Sequence, residues 1–358
     1  MNGDLVKFLL PSNQKSILNF EARVNNRLGL GNGLYNNAPT NALKRHLCVE
    51  TVVNKNLEKL VNHSSTLVHQ STWMKWKDTT IPVDLSWKSL IFIRTPKLLS
   101  FFLNSCIDAT PTRSMLHLWG YNVPASCKLC NHRSGTQLHV LGNCEIALKS
   151  KRYTWRHDSV LATIQPLLLS TISTHNLNLP EHQKSIKFIS NTGKTITYNS
   201  FRVKKHLLSD AFDWQMLIDF DSCQIVFPPV ICPTSDRPDI VFWSVNIKKV
   251  IIFELTIPAE ELIEEANDRK IAKYTYLKNL ITESGWACEL RTFEIGHRGF
   301  VAHSFTKMLT SLGVPMSTIR IAIQKVSHVV QRCSWAIFLA RNSLEWPHKD
   351  LAVEKLFK

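Results

Sequence analysis

Several things are missing from this chain, and each absence removes a class of explanation. No run approaches the roughly 20 apolar residues needed to span a bilayer. The start, MNGDLVKFLLPSNQ, carries an acid at Asp4 and offers no small-residue cleavage site, so no signal peptide is expected. Glycine is scarce, 12 in 358 residues, and no Gly-rich phosphate loop is present. Ser-His-Asp and Cys-His hydrolase arrangements have no supporting elbow. There is no internal repeat and no low-complexity tract. Acids are outnumbered, 28 Asp and Glu against 43 Lys and Arg, for a formal net charge of +15. Such a balance favours a polyanionic partner, nucleic acid first and an acidic membrane surface second. No single strongly amphipathic basic helix dominates, so a membrane partner is not expected. The reading is a soluble intracellular protein, in which the nine cysteines serve as thiols or metal ligands rather than disulfides.

The first pattern present is a compact Cys/His cluster. Cys127, Cys130, His139 and Cys144 form C-x2-C-x8-H-x4-C. Zinc takes four soft or borderline ligands in a tetrahedron, and a C-x2-C knuckle supplies two thiolates from one tight turn. The span is too short for a hydrophobic core, so metal would fix its shape. His132 is a competing ligand but follows Cys130 too closely for easy geometry. Basic residues crowd the cluster and the following helix: Lys128, Arg133, Lys149, Lys151, Arg152 and Arg156, against Glu145 alone. Together with Arg298 in the loop GHRGF, residues Arg133, Lys149, Lys151, Arg152 and Arg156 are the candidate nucleic-acid contacts.

The second pattern lies in RPDIVFWSVNIKKVIIFELT. Alternation and β-branched content predict a strand from Asp239 to Ser244, a turn at Val245 to Lys248 and a strand from Lys249 to Ile257. Ile252 and Glu254 share one strand face, Ile251, Phe253 and Leu255 the other. Two carboxylates on paired strands can share one divalent cation, Mg²⁺ or Mn²⁺, together with a scissile phosphate. Restriction-type nucleases follow this logic with P-D, a spacer and D/E-x-K. Pro238-Asp239 and Glu254-Leu255-Thr256 occupy those places, with Thr256 where the lysine belongs. A helix predicted from about Glu260 to Glu283 supplies a replacement. Ile263, Ala266, Lys270, Tyr274, Leu277 and Ile281 fall on one face at 100° per residue. A lysine within an apolar stripe needs a carboxylate or phosphate partner, so Lys270 is expected to point at Asp239 and Glu254, with Lys273 at the stripe's edge sharing the task. Asp239, Glu254, Lys270 and Lys273 are therefore the candidate catalytic residues. Trp155, Arg156, His157 and Asp158 form a further polar cluster in which His157 reads as structural or DNA-contacting rather than catalytic.

Elsewhere, helices are expected from Ala42 to about Val61, over FRVKKHLLSDAFDW and from Ser317 to Ser343. A further strand is expected from about Trp286 to Ile295.

Taken in order, CKLCNHRSGTQLHVLGNC, RYTWRHDSVL, RPDIV, FELTIPAEELIEEANDRKIAKY and EIGHRGF give the chain a family resemblance. Over roughly residues 70 to 315 it resembles the C-terminal portion of the reading frame of site-specific non-LTR (LINE-type) retrotransposons that carry a restriction-like endonuclease. In that family a reverse transcriptase precedes a CCHC knuckle and a nuclease that nicks target DNA, and the exposed 3′ end primes reverse transcription. The resemblance implies zinc on Cys127, Cys130, His139 and Cys144, and Asp239 and Glu254 as the acids. It implies Lys270 as a displaced helical lysine, with Lys273 and Tyr274 close behind. It further implies DNA and element RNA as partners and a nuclear location. No Y/F-A-D-D sequence is present, so the polymerase palm is missing. The chain reads as a fragment, a truncated copy or a separate gene derived from such an element.

The expected fold class is α/β (α+β): a helical N-terminal region and CCHC knuckle, then a PD-(D/E)xK restriction-like core with a C-terminal helix. The expected division is an N-terminal extension with a helix (1–71), a helical linker or thumb-side remnant (72–126) and the knuckle with its basic helix (127–169). A linker (170–200), the endonuclease domain (201–315) and the C-terminal helix (316–358) follow.

Overall fold

The computed structural model describes residues 41–67, 94–177, 186–189, 195–198, 206–220 and 225–346. The chain divides into two compact units, residues 1–74 and 75–358. In the first, the described element is helix α1 (Asn41–Thr66), a few residues longer than its apolar spacing predicts. Residues 1–40 and 68–93, parts of the expected N-terminal extension (1–71) and helical linker (72–126), lie outside the described residues.

The second unit mixes helices with a small mixed sheet, an α+β arrangement. Helices α2 (Pro96–Cys106) and α3 (Arg113–Leu118) each begin at a threonine whose hydroxyl accepts a first-turn amide, Thr95 from Leu98 and Thr112 from Met115. After the Cys/His segment come α4 (Glu145–Lys149) and the long α5 (Arg152–Leu177). A two-stranded antiparallel pair, β1 (Ile186–Ile189) and β2 (Thr195–Tyr198), follows. The main sheet has the order β3 (Gln215–Ile218), β4 (Ile240–Ser244), β5 (Lys249–Thr256), β6 (Ala287–Glu294). Its first three strands are antiparallel, and β6 runs parallel to β5. Helix α6 (Ile263–Glu283) makes the crossover between β5 and β6. Helices α7 (His303–Ser311) and α8 (Met316–Leu339) complete the unit.

The sequence explains why β5 is central. KVIIFELT is a nearly unbroken β-branched and aromatic run, the composition of a strand covered on both faces. Val250 to Leu255 are all fully buried. Its alternation separates two cores. Ile251, Phe253 and Leu255 join Val160, Leu161 and Ile164 of α5 and Val326 and Val330 of α8. Val250 and Ile252 join Tyr274, Leu277 and Ile281 of α6. Helix α6 stops where Gly285 adopts φ 83°, a left-handed cap that glycine enters at little cost.

Two expectations need correction. The stretch FRVKKHLLSDAFDW is no helix where it is described: residues 206–210 form a turn, Trp214 is buried, and the chain continues into β3. The Trp214 indole donates to the Leu208 carbonyl across that turn (2.9 Å), which helical geometry would forbid. Nor does a linker begin at 170, since α5 runs to Leu177 with Ile172 in the main core. Its last turn is tied down by Asn176, whose side chain bonds both the amide and the carbonyl of Trp214 (3.2 and 2.8 Å). Among the described residues, no helix is long and apolar enough to cross a membrane.

Candidate metal centre and carboxylate site

The knuckle is built by a tight turn. The Asn131 amide donates to the Cys127 carbonyl (2.9 Å), and the Cys127 amide donates to the His132 carbonyl (2.8 Å). Asn131 sits at φ 57°, a left-handed value that asparagine tolerates. Gly135 lies where a Cβ would come within 3.2 Å of the Ala125 carbonyl and the Cys127 backbone, so a larger residue would press the knuckle open. His139 opens a π-helical turn (His139–Asn143), and Cys144 caps α4.

This brings Cys127, Cys130, His139 and Cys144 together, with all ligand atoms within 4.8 Å of one another. Cys127 Sγ lies 4.0 Å from Cys144 Sγ, and Cys130 Sγ lies 3.2 Å from His139 Nε2. A zinc tetrahedron with Zn–S bonds of about 2.3 Å has S···S edges of about 3.8 Å. The residues fit that ion. His132 is exposed and stacks on the His139 ring at 4.6 Å, outside the ligand set.

The knuckle is clamped to the rest of the unit. The Tyr153 hydroxyl of α5 accepts the Cys144 amide (3.0 Å) and donates to the Val140 carbonyl (2.9 Å). Val140 and Leu141 pack on Trp335, Ile337 and Phe338 of α8.

Three of the expected nucleic-acid contacts have other partners. Arg152 is fully buried and donates to the Ala340 and Ser343 carbonyls (2.8 and 2.7 Å) at the end of α8. Arg156 is buried and donates to Ser334 Oγ and the Ile257 carbonyl (3.0 and 3.3 Å), and burial pulls its pKa down to about 10. Arg298 is buried in an ion network with Glu260, Glu261 and Asp108 (2.7, 3.0 and 2.9 Å), and its Nε donates to the Ser105 carbonyl. These guanidiniums replace much of their lost water with carbonyls, hydroxyls and carboxylates, and their burial keeps them from a phosphate. Arg133, Lys149 and Lys151 remain exposed, with Lys149 paired to Glu145 on the surface.

The second constellation sits where β4 and β5 leave the ladder. Beyond the pair Ile240 and Phe253, side chains take over the bonding. The Asp239 amide donates to Glu254 Oε1 (3.0 Å), and the Leu255 amide donates to Asp239 Oδ2 (2.8 Å). From α6, Lys270 Nζ donates to Glu254 Oε2 at 2.6 Å and to Asp239 Oδ2 at 3.5 Å. Lys270 interrupts the buried stripe Ile263, Ala266, Tyr274, Leu277 and Ile281 as its spacing predicts. The structure thus brings Asp239, Glu254 and Lys270 together. Lys273 stands apart: it is exposed, and its Nζ bonds the Tyr274 hydroxyl (3.1 Å), which donates on to the Arg237 carbonyl.

A fourth side chain joins this group. His157 of α5 has Nε2 3.2 Å from Asp239 Oδ2 and Nδ1 3.2 Å from Asp158 Oδ1. Its signal was present in the sequence: on a helix, His157 falls in line with Val160, Leu161 and Ile164, all buried. It is a polar residue in an apolar stripe, as Lys270 is.

The electrostatics follow from burial and pairing. Burial alone would lower the His157 pKa, but Asp239 and Asp158 outweigh it and raise it to about 9. Burial would raise Asp239, yet His157 and Lys270 hold it well below the ordinary carboxylate range. Glu254 is pushed up to about 8, by burial first and the neighbouring Asp239 second, against the pull of Lys270. Lys270 stays above its ordinary value because the two acids outweigh its desolvation. The site therefore holds two acids and two cations in one largely buried cluster, with Glu254 fully buried and Asp239 slightly open to solvent.

A family model described as zinc-binding in reverse transcriptase matches residues 66–150. Those residues, with their Cys3His site, are a zinc-binding domain of the kind found in reverse-transcriptase-related proteins. No curated protein matches the chain.

Proposed function

We propose that the chain is a metal-dependent DNA endonuclease of the restriction-like PD-(D/E)xK kind, derived from the polyprotein of a non-LTR retrotransposon and nicking one strand at a time. The observation that carries this reading is the convergence of Asp239 from the approach to β4, Glu254 from β5 and Lys270 from α6 onto one set of bonds of 2.6 to 3.5 Å. The order strand, strand, helix, strand with a parallel final pair agrees with what such a core requires.

Asp239 and Glu254 are hard oxygen donors and suit Mg²⁺ or Mn²⁺. That cation, when bound, would supply Lewis-acid polarisation and neutralise developing charge. Lys270 is the residue that orients. Its ammonium has three N–H donors, of which two reach the acids, and the third suits a phosphate oxygen or the attacking water. Exposed Lys128, Arg133, Lys149 and Lys151 around the knuckle suit the phosphate backbone of DNA or element RNA. A nuclear location is the setting this reading calls for.

The test is nicking of supercoiled plasmid with Mg²⁺, comparing wild type with Asp239→Ala and Lys270→Ala. Metal-dependent nicking that falls more than about 100-fold in both variants is expected, in line with losing a preorganised charge from an active site. A second reading is favoured by Thr256, which stands where the lysine of D/E-x-K belongs. It makes the same scaffold a nucleic-acid-binding relic. Salt-sensitive DNA binding with no nicking by any of the three proteins would establish the relic and sink the enzyme.

A further inference from the structure

The two acids do not share their cations equally. Lys270 leans towards Glu254, at 2.6 Å against 3.5 Å for Asp239. Of the side chains bonded to the Asp239 carboxylate, the nearer is instead His157, at 3.2 Å. All the hydrogen bonds that described residues make to the Asp239 carboxylate reach Oδ2: from His157, the Leu255 amide and Lys270. None reaches Oδ1.

The His157 ring is held from both sides. Asp158 Oδ1 lies at Nδ1 and Asp239 Oδ2 at Nε2, so a carboxylate oxygen faces each ring nitrogen. The helix beneath it is fixed. Arg156 is tied to Ser334 and Ile257, and Val160 and Leu161 are fully buried. One turn earlier Tyr153 grips the knuckle backbone. The same helix therefore carries the zinc clamp at one end and a donor to the nuclease acid just after it.

We propose that His157 is a positioning residue for the carboxylate centre: it holds Asp239 by Oδ2 and so presents Oδ1 to a divalent cation. This rests on the nuclease reading for its purpose, though not for its measurement. Groups that orient a metal-binding carboxylate typically change metal affinity 10- to 100-fold when removed.

The experiment uses the full chain and two variants, His157→Ala and His157→Gln; glutamine keeps an N–H donor near the position of Nε2. Mn²⁺ affinity is read by calorimetry, with Asp239→Ala as the reference for the site. DNA affinity is read in EDTA, folding by thermal melting, and nicking against Mg²⁺ concentration. The expected result is about tenfold weaker Mn²⁺ binding and a similar rise in half-maximal Mg²⁺ for His157→Ala. DNA affinity should be unchanged, and His157→Gln should recover most of the loss. Unchanged Mn²⁺ affinity in folded His157→Ala overturns the proposal. So does a loss of DNA affinity with Mn²⁺ affinity intact, which would make His157 a phosphate contact. If His157→Ala does not fold, His157→Gln decides, and a tenfold loss there also overturns it. If Mn²⁺ binds through Asp239 and weakens in His157→Ala but nothing nicks, the nuclease reading fails and the positioning role stands. If Asp239→Ala binds Mn²⁺ like wild type, both fall.

Discussion

The two constellations of the compact unit are assembled in opposite ways. The knuckle draws its four ligands from residues 127 to 144, and its backbone bonds stay close by in the chain, with partners between Ser114 and Tyr153. The carboxylate centre draws on residues 157, 239, 254 and 270, supplied by α5, β4's approach, β5 and α6. The first is a ligand set that fits a zinc ion. The second is held by the packed cores on either side of β5. Local assembly leaves a spacing that can be read directly. Distributed assembly leaves only odd polar residues in apolar stripes.

The largest effect should come from removing the knuckle's metal. Chelation, or Cys127→Ser, should release one zinc per chain and uncover Val140 and Leu141, which pack on α8. Each such side chain contributes about 1.5–3 kcal/mol by burial, so a loss of about 3–6 kcal/mol is expected, or about 10–15 °C in a unit of this size. Metal analysis and thermal melting check it. A melt indifferent to chelation would mean that the knuckle is not held by metal, and the contrast would collapse.

Next in size is Arg298→Met. Arg298 joins Asp108 and the Ser105 carbonyl, next to the end of α2, to Glu260 and Glu261 ahead of α6. Its removal strands buried carboxylates, a change that costs about 3–5 kcal/mol and is read by urea unfolding. DNA affinity below the melting range should not move. A selective loss of DNA affinity would restore Arg298 as a contact.

The smallest effect on stability belongs to Arg133, Lys149 and Lys151. Replaced together by alanine, these exposed residues should shift stability by no more than about 0.5 kcal/mol each. The slope of DNA affinity against salt should fall by about 2–3 for three phosphate contacts. An unchanged slope would move the interface away from the knuckle.

Much of this was legible in the sequence. The ligand spacing named the knuckle, and the alternation of KVIIFELT placed its two faces correctly. The apolar stripe of α6 found Lys270. Arg152, Arg156 and Arg298 read as surface charges because charge counts assume exposure, and their partners lie about 40 to 190 residues away in the chain. Strand β3 was missed because its four residues gain their extended form from pairing with β4, not from local preference. The approach of His157 to Asp239 is not legible in the sequence, since only the fold brings the two together.

The parallel pairing of β5 with β6 has a consequence in time. An antiparallel hairpin such as β4–β5 closes from a four-residue turn, but β6 reaches β5 only after the whole of α6 has been made and docked. Parallel, long-range pairing is the slow part of folding. The helix that brings Lys270 to the acids is the same crossover. The knuckle's ligands are thus complete early in the emerging chain and the carboxylate centre late, so on the function proposed above a partly made copy would hold a polyanion before it could cut one.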